Sequence, residues 1–211
     1  MFYTTADNKH GLPHDPFKAC IAPRPIGWIS SISADGIVNV APYSFFNGVS
    51  SSPPIVMYGS NGAQPHGPKD TVTNIKATGE FVVNVATWDL RDAVNATSGP
   101  ELPEVDEMAL AGLTPAPCTL VKPPRIKESP INMECTLVQT LDLPGNNPGE
   151  HNTMVIGRVV GIHIDPSVMT DGRIDTAKLK PISRLGYKEY ACITETFEMT
   201  RPGGGDKLAG L

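Results

Sequence analysis

Short hydrophobic segments separated by turn residues dominate the chain. Each segment is rich in β-branched or aromatic side chains and is bounded by glycine, proline, asparagine or aspartate, a pattern typical of β-strands. The segments are Ile26 to Ser33, Ile37 to Tyr43, Pro54 to Ser60, Phe81 to Ala86, Ile131 to Leu141, Thr153 to Asp165 and Tyr190 to Met199. This number of strands predicts an all-β fold built around a barrel.

Helical patterns are fewer, and each is followed by a glycine. A glycine after the last turn of a helix adopts the left-handed backbone that closes the helix. The segments and their glycines are Asp70 to Thr78 with Gly79, Asp89 to Thr97 with Gly99, and Val105 to Ala111 with Gly112. We therefore expect a few short helices at the periphery of the barrel.

The connections and the C-terminal end lack either pattern. Many of the 21 prolines fall in connections such as Leu113 to Pro130 and Pro144 to Pro148, where a missing amide donor does not interrupt a strand ladder. These connections are predicted to be long surface loops. The end of the chain, Arg201 to Leu211, is rich in glycine and is predicted to be a mobile tail or an arm on a partner subunit.

Length and charge limit the fold and the partners. A chain of 211 residues without a low-complexity linker is predicted to form a single domain over residues 1–211, with its core between Ile21 and Met199. Lysine and arginine total 17 against 22 aspartates and glutamates, a net charge of −5. Because this charge offers no basic surface to nucleic acid or to an anionic membrane, small molecules or proteins are the expected partners.

Cysteine spacing and the length of hydrophobic runs indicate a cytoplasmic protein without a metal site. The cysteines form none of the close pairs of a zinc site or a redox motif, and no apolar leader marks secretion. They are Cys20, Cys118, Cys135 and Cys192. Runs such as Phe81 to Ala86 are too short to span a bilayer. His163 and Asp165 have no third ligand nearby in the sequence, so no metal is predicted.

A polar segment follows the second predicted strand. It contains Ser44, Asn47, Gly48 and Ser50, and it ends in a Pro-Pro pair. These side chains and the backbone amides near Gly48 offer more hydrogen-bonding groups than the core of a hairpin requires, which favours a polar ligand. The alternative is a serine-rich turn that satisfies its own backbone.

A second candidate site lies at the start of the predicted helix Asp70 to Thr78. The first amides of a helix lack intrahelical partners and carry the positive end of the helix dipole. Lys69 adds a cation and Thr71 a hydroxyl, so Lys69, Asp70 and Thr71 together predict a phosphate site. The alternative is that Asp70 merely caps the helix.

These motifs resemble those of the flavin reductase-like family of FMN-binding split-barrel proteins. The likeness rests on Pro23-Arg24-Pro25, on the polar segment that begins at Ser44, on Lys69-Asp70-Thr71, and on two later segments around His151 and Arg184. The resemblance implies a split β-barrel, bound FMN, and a homodimer with the flavin near the subunit interface.

The resemblance also implies roles for individual residues toward FMN. The opening strand and the polar segment would hold the isoalloxazine ring, with Trp28 and Phe46 packed against it. The alternative is that these two side chains belong to the hydrophobic core, where large aromatic residues are mostly buried. Only one of Ser30 and Ser31 can face the barrel interior, because side chains alternate along a strand. The predicted FMN-binding residues are Trp28, Ser30, Ser31, Ser44, Phe46, Asn47, Gly48, Ser50, Lys69, Asp70, Thr71 and Arg184.

His151 and Arg184 carry the remaining implied roles. A histidine at the position of His151 lies by the nicotinamide in this family, so His151 is predicted to position that donor, and a solvated loop histidine is the alternative. Arg184 is predicted to border the open face of the flavin, where it would stabilise the reduced, anionic ring or bind a substrate anion. An exposed arginine that contributes only to solubility is the alternative.

The resemblance implies an oxidoreductase that transfers a hydride from NADH or NADPH to N5 of FMN. Such a transfer needs no dedicated acid or nucleophile, and the chain contains neither a nucleophile elbow nor a dinucleotide-binding glycine fingerprint. A flavoredoxin-like electron carrier that serves protein partners is the alternative. A third reading is that the flavin is exchangeable and is supplied in reduced form to a separate oxygenase.

Overall fold

The computed structural model of the chain describes residues 1–64, 67–147, 150–200 and 202–203. Its strands are β1 (Arg24–Pro25), β2 (Gly27–Ile32), β3 (Val38–Tyr43), β4 (Phe46–Ser51), β5 (Pro54–Asn61), β6 (Glu80–Val85), β7 (Pro115–Ala116), β8 (Arg125–Ile126), β9 (Ile131–Leu143), β10 (Asn152–Ile164), β11 (Met169–Thr170), β12 (Arg173–Ile174), β13 (Ile182–Arg184) and β14 (Tyr190–Cys192). Its helices are α1 (Phe17–Cys20), α2 (Asp70–Thr78), α3 (Arg91–Ala96), α4 (Glu107–Leu110) and α5 (Thr176–Leu179). The predicted tail, Arg201 to Leu211, lies outside the described residues except at Pro202 and Gly203.

One antiparallel sheet forms the frame of the fold. Its strand order is β3-β2-β6-β9-β10-β5-β4. Strand β3 is one edge of this sheet, and β5 lies next to the other edge. The ring centroids of Tyr43 on β3 and Tyr58 on β5 nevertheless lie only 4.5 Å apart. The sheet therefore curls around a core that includes Ile29, Phe81 and Val155. The predicted mainly β barrel with a few peripheral helices is confirmed.

The set of strands in this sheet differs from the predicted set. The polar segment after the second strand forms β4, an edge strand with five of its six residues exposed. Polar side chains fit this strand because all of its residues after Phe46 are exposed. The predicted strand Tyr190 to Met199 is shorter, since only β14 forms, and it belongs to a separate three-stranded sheet with β1 and β13.

Helix α2 has the predicted bounds, whereas the next two helices are shorter than predicted. The Gly79 residue after α2 has φ of 75°, and its amide donates to the Ile75 carbonyl at 2.9 Å. In place of one helix from Asp89 to Thr97, a 3₁₀ turn at Trp88–Leu90 precedes α3. No described helix is long and apolar enough to cross a membrane.

A second hydrophobic cluster lies outside the barrel, between β2 and the short helices. Trp28 is fully buried there, together with Val94 of α3 and Met108 of α4. Fully burying a large apolar side chain contributes roughly 1.5–3 kcal/mol. This packing fixes α3 and α4 beside β3, and the ends of these elements form the walls of the cavities described next.

Candidate functional site

Two cavities adjoin at Pro42 of β3 and Ser98, which follows α3. The larger, cavity A, has a volume of about 470 Å³. The smaller, cavity B, has a volume of about 220 Å³. Because both residues line both cavities, the two cavities are direct neighbours. Cavities of roughly 300–1,000 Å³ are typical of small-molecule sites.

Cavity A combines cations with an apolar wall. Lys18, Arg24 and Arg184 line it, with Asp15 as the acid among its lining residues. The apolar part of the wall is formed by Ile26, Pro42, Val94 and Leu185. A flat apolar surface with a few convergent charges suits an aromatic ligand that carries or gains negative charge.

Arg24 and Arg184 face each other directly across β1 and β13. Like charges in directly opposite positions are unfavourable. The pKa of Arg24 is lowered, mainly by burial and to a smaller extent by the positive charge of the nearby Arg184. The Arg24 guanidinium donates to the carbonyls of Ile21 at 2.7 Å and Leu185 at 2.8 Å, while its buried Nε has no hydrogen-bond partner in the part of the chain that the structure describes. An anion in cavity A would relieve both the repulsion and the unpaired donor.

The turn that contains Tyr187 forms part of the wall of cavity A. Tyr187 has φ of 55°, a left-handed conformation that is uncommon for a residue other than glycine. The Arg184 guanidinium donates to the Tyr187 carbonyl and to the Tyr190 hydroxyl, and it lies 4.4 Å from the centroid of the Tyr190 ring. Strained backbone of this kind often marks a ligand-binding position.

Cavity B lies at the start of α2. Lys69 occupies the N-cap position, and its side chain makes no capping hydrogen bond. The alternative in which Asp70 caps the helix is therefore wrong, because Asp70 is the first helical residue. The reason is that the chain becomes helical one residue after Lys69, whose ammonium group donates but cannot accept a hydrogen bond from the helix amides. The pKa of Lys69 is lowered, mainly by burial and to a smaller extent by the positive charge of the nearby Lys18.

Buried polar side chains support the wall of cavity B. Asn39 of β3 donates to the Thr71 hydroxyl at 2.7 Å and to the Ser31 hydroxyl at 3.3 Å. Gln64 also lines this cavity, and its buried Oε1 has no hydrogen-bond partner among the described residues. The Lys69 cation and the Thr71 hydroxyl beside a helix start fit a phosphate, whereas the Gln64 oxygen is an acceptor and does not add to that fit.

A buried acid also lines cavity B. Glu107 is only 4% exposed, and its Oε2 accepts the Val40 amide at 3.1 Å. Burial raises its pKa to about 7. Sequence reasoning missed Glu107, because nothing in its local sequence distinguishes it from an ordinary acid in the first turn of a helix.

Five predicted residues line the two cavities. Ser44 and Arg184 belong to cavity A, and Lys69, Asp70 and Thr71 belong to cavity B. The remaining lining groups were not predicted, and they come from elements far apart in the sequence that only the tertiary fold brings together. They include Lys18, Asn39, Asn95, Thr97, Ser98 and Glu107.

Trp28, Ser30 and Ser31 are buried and line neither cavity, so within one chain the fold does not bring them to the candidate site, and their contact with FMN stays a prediction. The Trp28 indole donates to the Thr97 hydroxyl at 2.9 Å, and the Ser30 hydroxyl donates to the Pro124 carbonyl at 2.6 Å. The physical reason is that β2 is covered on both faces, by the barrel core on one side and by helices and loops on the other.

Phe46, Asn47, Gly48 and Ser50 lie on β4 and line neither cavity. Phe46 packs against the barrel core, close to Gly27. The Asn47 Oδ1 accepts the amide of Gly48 at 2.8 Å, as expected for a polar segment that satisfies its own backbone. Within one chain these residues are therefore separate from the candidate site.

His151 lines a third cavity, of about 570 Å³. Its neighbours there include Thr73 and Lys76 of α2 and Asp142 of β9. Neither cavity A nor cavity B includes His151 among its lining residues. Its role toward a nicotinamide stays a prediction.

The fold brings Cys118 and Glu134 to His163, although no third ligand lies near His163 in the sequence. Their ligand atoms lie within 4.8 Å of one another. The Glu134 carboxylate is already engaged, because it accepts the His163 ring and the amides of Thr119, Leu120 and Val121. We interpret this cluster as the anchor of the loop before β8.

Most of the chain is similar to proteins of one known family. Residues 20–178 match the flavin reductase like domain. The uncharacterised protein BH2278 of Halalkalibacterium halodurans is 40% identical over 183 residues, which cover 86% of this chain and 87% of that protein.

Two solved structures with this fold share at least a quarter of their residues with this chain. Nitrilotriacetate monooxygenase component B from Bacillus cereus aligns with a TM-score of 0.85 and 34% identity, covering 94% of this chain and 98% of that one. The 2-nitrobenzoate 2-nitroreductase NbaA of Pseudomonas fluorescens aligns with a TM-score of 0.82 and 25% identity over the full length of both chains. The chain described here belongs to the flavin reductase-like domain family.

Proposed function

We propose that the chain binds FMN across the joined cavities and acts as an NAD(P)H-dependent oxidoreductase. The observation that carries the proposal is a set of four cations around these cavities, none of which forms an ion pair with an acid among the described residues. They are Lys18, Arg24, Lys69 and Arg184. The phosphate belongs in cavity B and the ring in cavity A.

The chain's own residues bind and orient the cofactor. Lys69, the Thr71 hydroxyl and the start of α2 bind the phosphate, and the apolar wall of cavity A excludes water from one face of the ring. Bound FMN supplies the hydride chemistry at N5 and gains negative charge on reduction. Arg24 and Arg184 favour that charge electrostatically, so no side chain has to act as a general acid or nucleophile.

The relatives support a reductive role. The neighbour at 34% identity is a component of a monooxygenase, and the neighbour at 25% identity is a nitroreductase. We propose that this chain likewise takes electrons from a nicotinamide and passes them to a separate acceptor, either an oxygenase or a small oxidised substrate. An electron carrier for protein partners becomes the better account if no nicotinamide reduces the flavin.

We also propose that the chain forms a homodimer. The edge strand β4 leaves one row of backbone hydrogen-bonding groups unpaired within the sheet, and Val49 on it is 55% exposed. A second copy that covers this strand would satisfy those groups. Sedimentation at micromolar concentration with FMN bound is expected to give a dimer, and a monomer would contradict the proposal.

Equilibrium titrations with FMN and with riboflavin test the placement of the phosphate, and quenching of the flavin fluorescence reports binding. We expect one FMN per chain and a riboflavin affinity about tenfold or more weaker, because a charge-assisted hydrogen bond contributes about 1.5–3 kcal/mol. Equal affinities would remove the phosphate from cavity B. Absence of FMN binding would overturn the proposal as a whole.

A further inference from the structure

Glu107 is a buried acid without a cation partner among the described residues. It is the first residue of α4, and its Oε2 accepts the Val40 amide of β3 at 3.1 Å. It lines cavity B together with Lys69 and Thr71 from the start of α2. A buried carboxylate that lacks a partner is unfavourable, so such a group tends to bind a proton.

The groups around Glu107 also disfavour its charge. Asp70 of α2 and Asp106, which immediately precedes Glu107, both raise its pKa after the larger effect of burial. The hydrogen bond from Val40 acts in the opposite direction but does not compensate, and the pKa lies at about 7. Tyr43 of β3 faces the same cavity but titrates far higher, with a pKa of about 12.

We propose that Glu107 takes up one proton from solvent when the phosphate of FMN enters cavity B. The neutral carboxyl then offers an O–H donor to the phosphate, whereas the ionised carboxylate would place a negative charge beside it. This inference rests on the proposed function, because it requires the phosphate to lie in cavity B. It adds a proton-linked residue to the binding site, so that the affinity for FMN depends on pH near neutrality.

The consequence is specific to the phosphate. When Glu107 is already neutral, FMN binds without proton uptake. When Glu107 is ionised, each binding event must include protonation, and the affinity falls by about tenfold per pH unit. Riboflavin lacks the phosphate, so its affinity should not follow this dependence.

The first experiment measures the dissociation constant of FMN between about pH 7.5 and 8.5, where the phosphate, with a second pKa near 6, is already a dianion. The proteins are the wild type, Glu107→Gln, and Glu104→Gln as a matched control on an exposed acid of the same segment. We expect the wild type and the control to weaken by about tenfold over this range, and Glu107→Gln to change by less than about twofold. Any titration of Lys69 is common to all three proteins.

The second experiment keeps the proposal testable if Glu107→Gln does not fold. Calorimetric titration of the wild type at about pH 8, in two buffers of different ionisation enthalpy, should give an uptake of about one proton per FMN and none per riboflavin. FMN binding without proton uptake, or a wild-type pH dependence in Glu107→Gln, would overturn this inference and leave the proposed function standing. Absence of FMN binding would overturn both.

Discussion

The ammonium group of Lys69 is the cation closest in sequence to the start of α2, and it is half-buried in the wall of cavity B. We expect Lys69→Ala to weaken FMN binding by about tenfold or more and riboflavin binding by much less, because the lost contact is to the phosphate. The matched control is Lys76→Ala, which removes a cation from the same helix that pairs with Asp142 on the surface. Equal losses for FMN and riboflavin would place Lys69 away from the phosphate.

Glu107 should make the stability of the FMN-free protein depend on pH. Its pKa of about 7 in the folded chain lies above the ordinary value of 4.5, so the folded state binds the proton more tightly than the unfolded state. The stability associated with this proton is fully present below the unfolded pKa and is lost as the pH rises through the folded pKa.

We therefore expect Glu107→Gln to raise the free energy of unfolding at about pH 8 by on the order of 1–2 kcal/mol, allowing for solvent screening. The glutamine keeps an oxygen that accepts the Val40 amide. Urea denaturation across the range from about pH 5 to 8 measures the effect. A variant that loses stability over this range as the wild type does would show that Glu107 is not the group responsible.

At the scale of elements, Glu134 fixes the loop before β8 to β9. Burial alone raises the pKa of this carboxyl, but hydrogen bonds from the Thr119 amide and from His163 outweigh it, and the pKa lies below its ordinary value. Its contribution to stability is therefore present above the unfolded pKa and is lost as the pH falls through the folded pKa.

Glu134→Gln should destabilise the fold by about 2–4 kcal/mol, because several donors lose the charged acceptor that the buried Glu134 side chain provides. The control is Glu128→Gln, since Glu128 is exposed and accepts hydrogen bonds from Thr114, and its loss should be below about 1 kcal/mol. Urea denaturation at neutral pH compares the two variants. Similar small losses in both would show that Glu134 does not anchor the loop.

Local signals in the sequence predicted the elements they govern directly. The bounds of α2 were predictable because Gly79 closes the helix through its own backbone conformation. The edge strand β4 was not, since its polar residues equally describe a turn and only the pairing with β5 distinguishes the two. Trp28 was assigned to the site because a strand residue does not reveal whether its second face is covered.

The candidate site was predictable only where one short segment carries it. Lys69 and Thr71 lie beside the helix start that gives them their chemistry, so the sequence alone indicated a phosphate site. Asn39, Ser98 and Glu107 reach the same cavity from β3, from the end of α3 and from α4. No spacing in the sequence relates these positions, because tertiary packing alone brings them together.

At the scale of the whole molecule, His151 tests whether the third cavity takes part in the reaction. If His151 positions the nicotinamide, His151→Ala should keep FMN at near wild-type affinity and be reduced about a hundredfold more slowly, as expected when reacting atoms are misplaced by about 1 Å. The control is His10→Ala, which removes a histidine near the N-terminus outside the three cavities. Unchanged stopped-flow reduction in His151→Ala would remove this residue from the reaction.

The central claim is that this chain binds FMN and reduces it with a nicotinamide. Anaerobic titration of the FMN-loaded wild type with NADH and with NADPH tests this claim most directly. The visible absorbance of the flavin reports its reduction. We predict that one of the two nicotinamides bleaches the flavin within seconds, at a rate in the usual enzymatic range of about 1–1,000 per second. Bleaching by dithionite but by neither nicotinamide would contradict the claim.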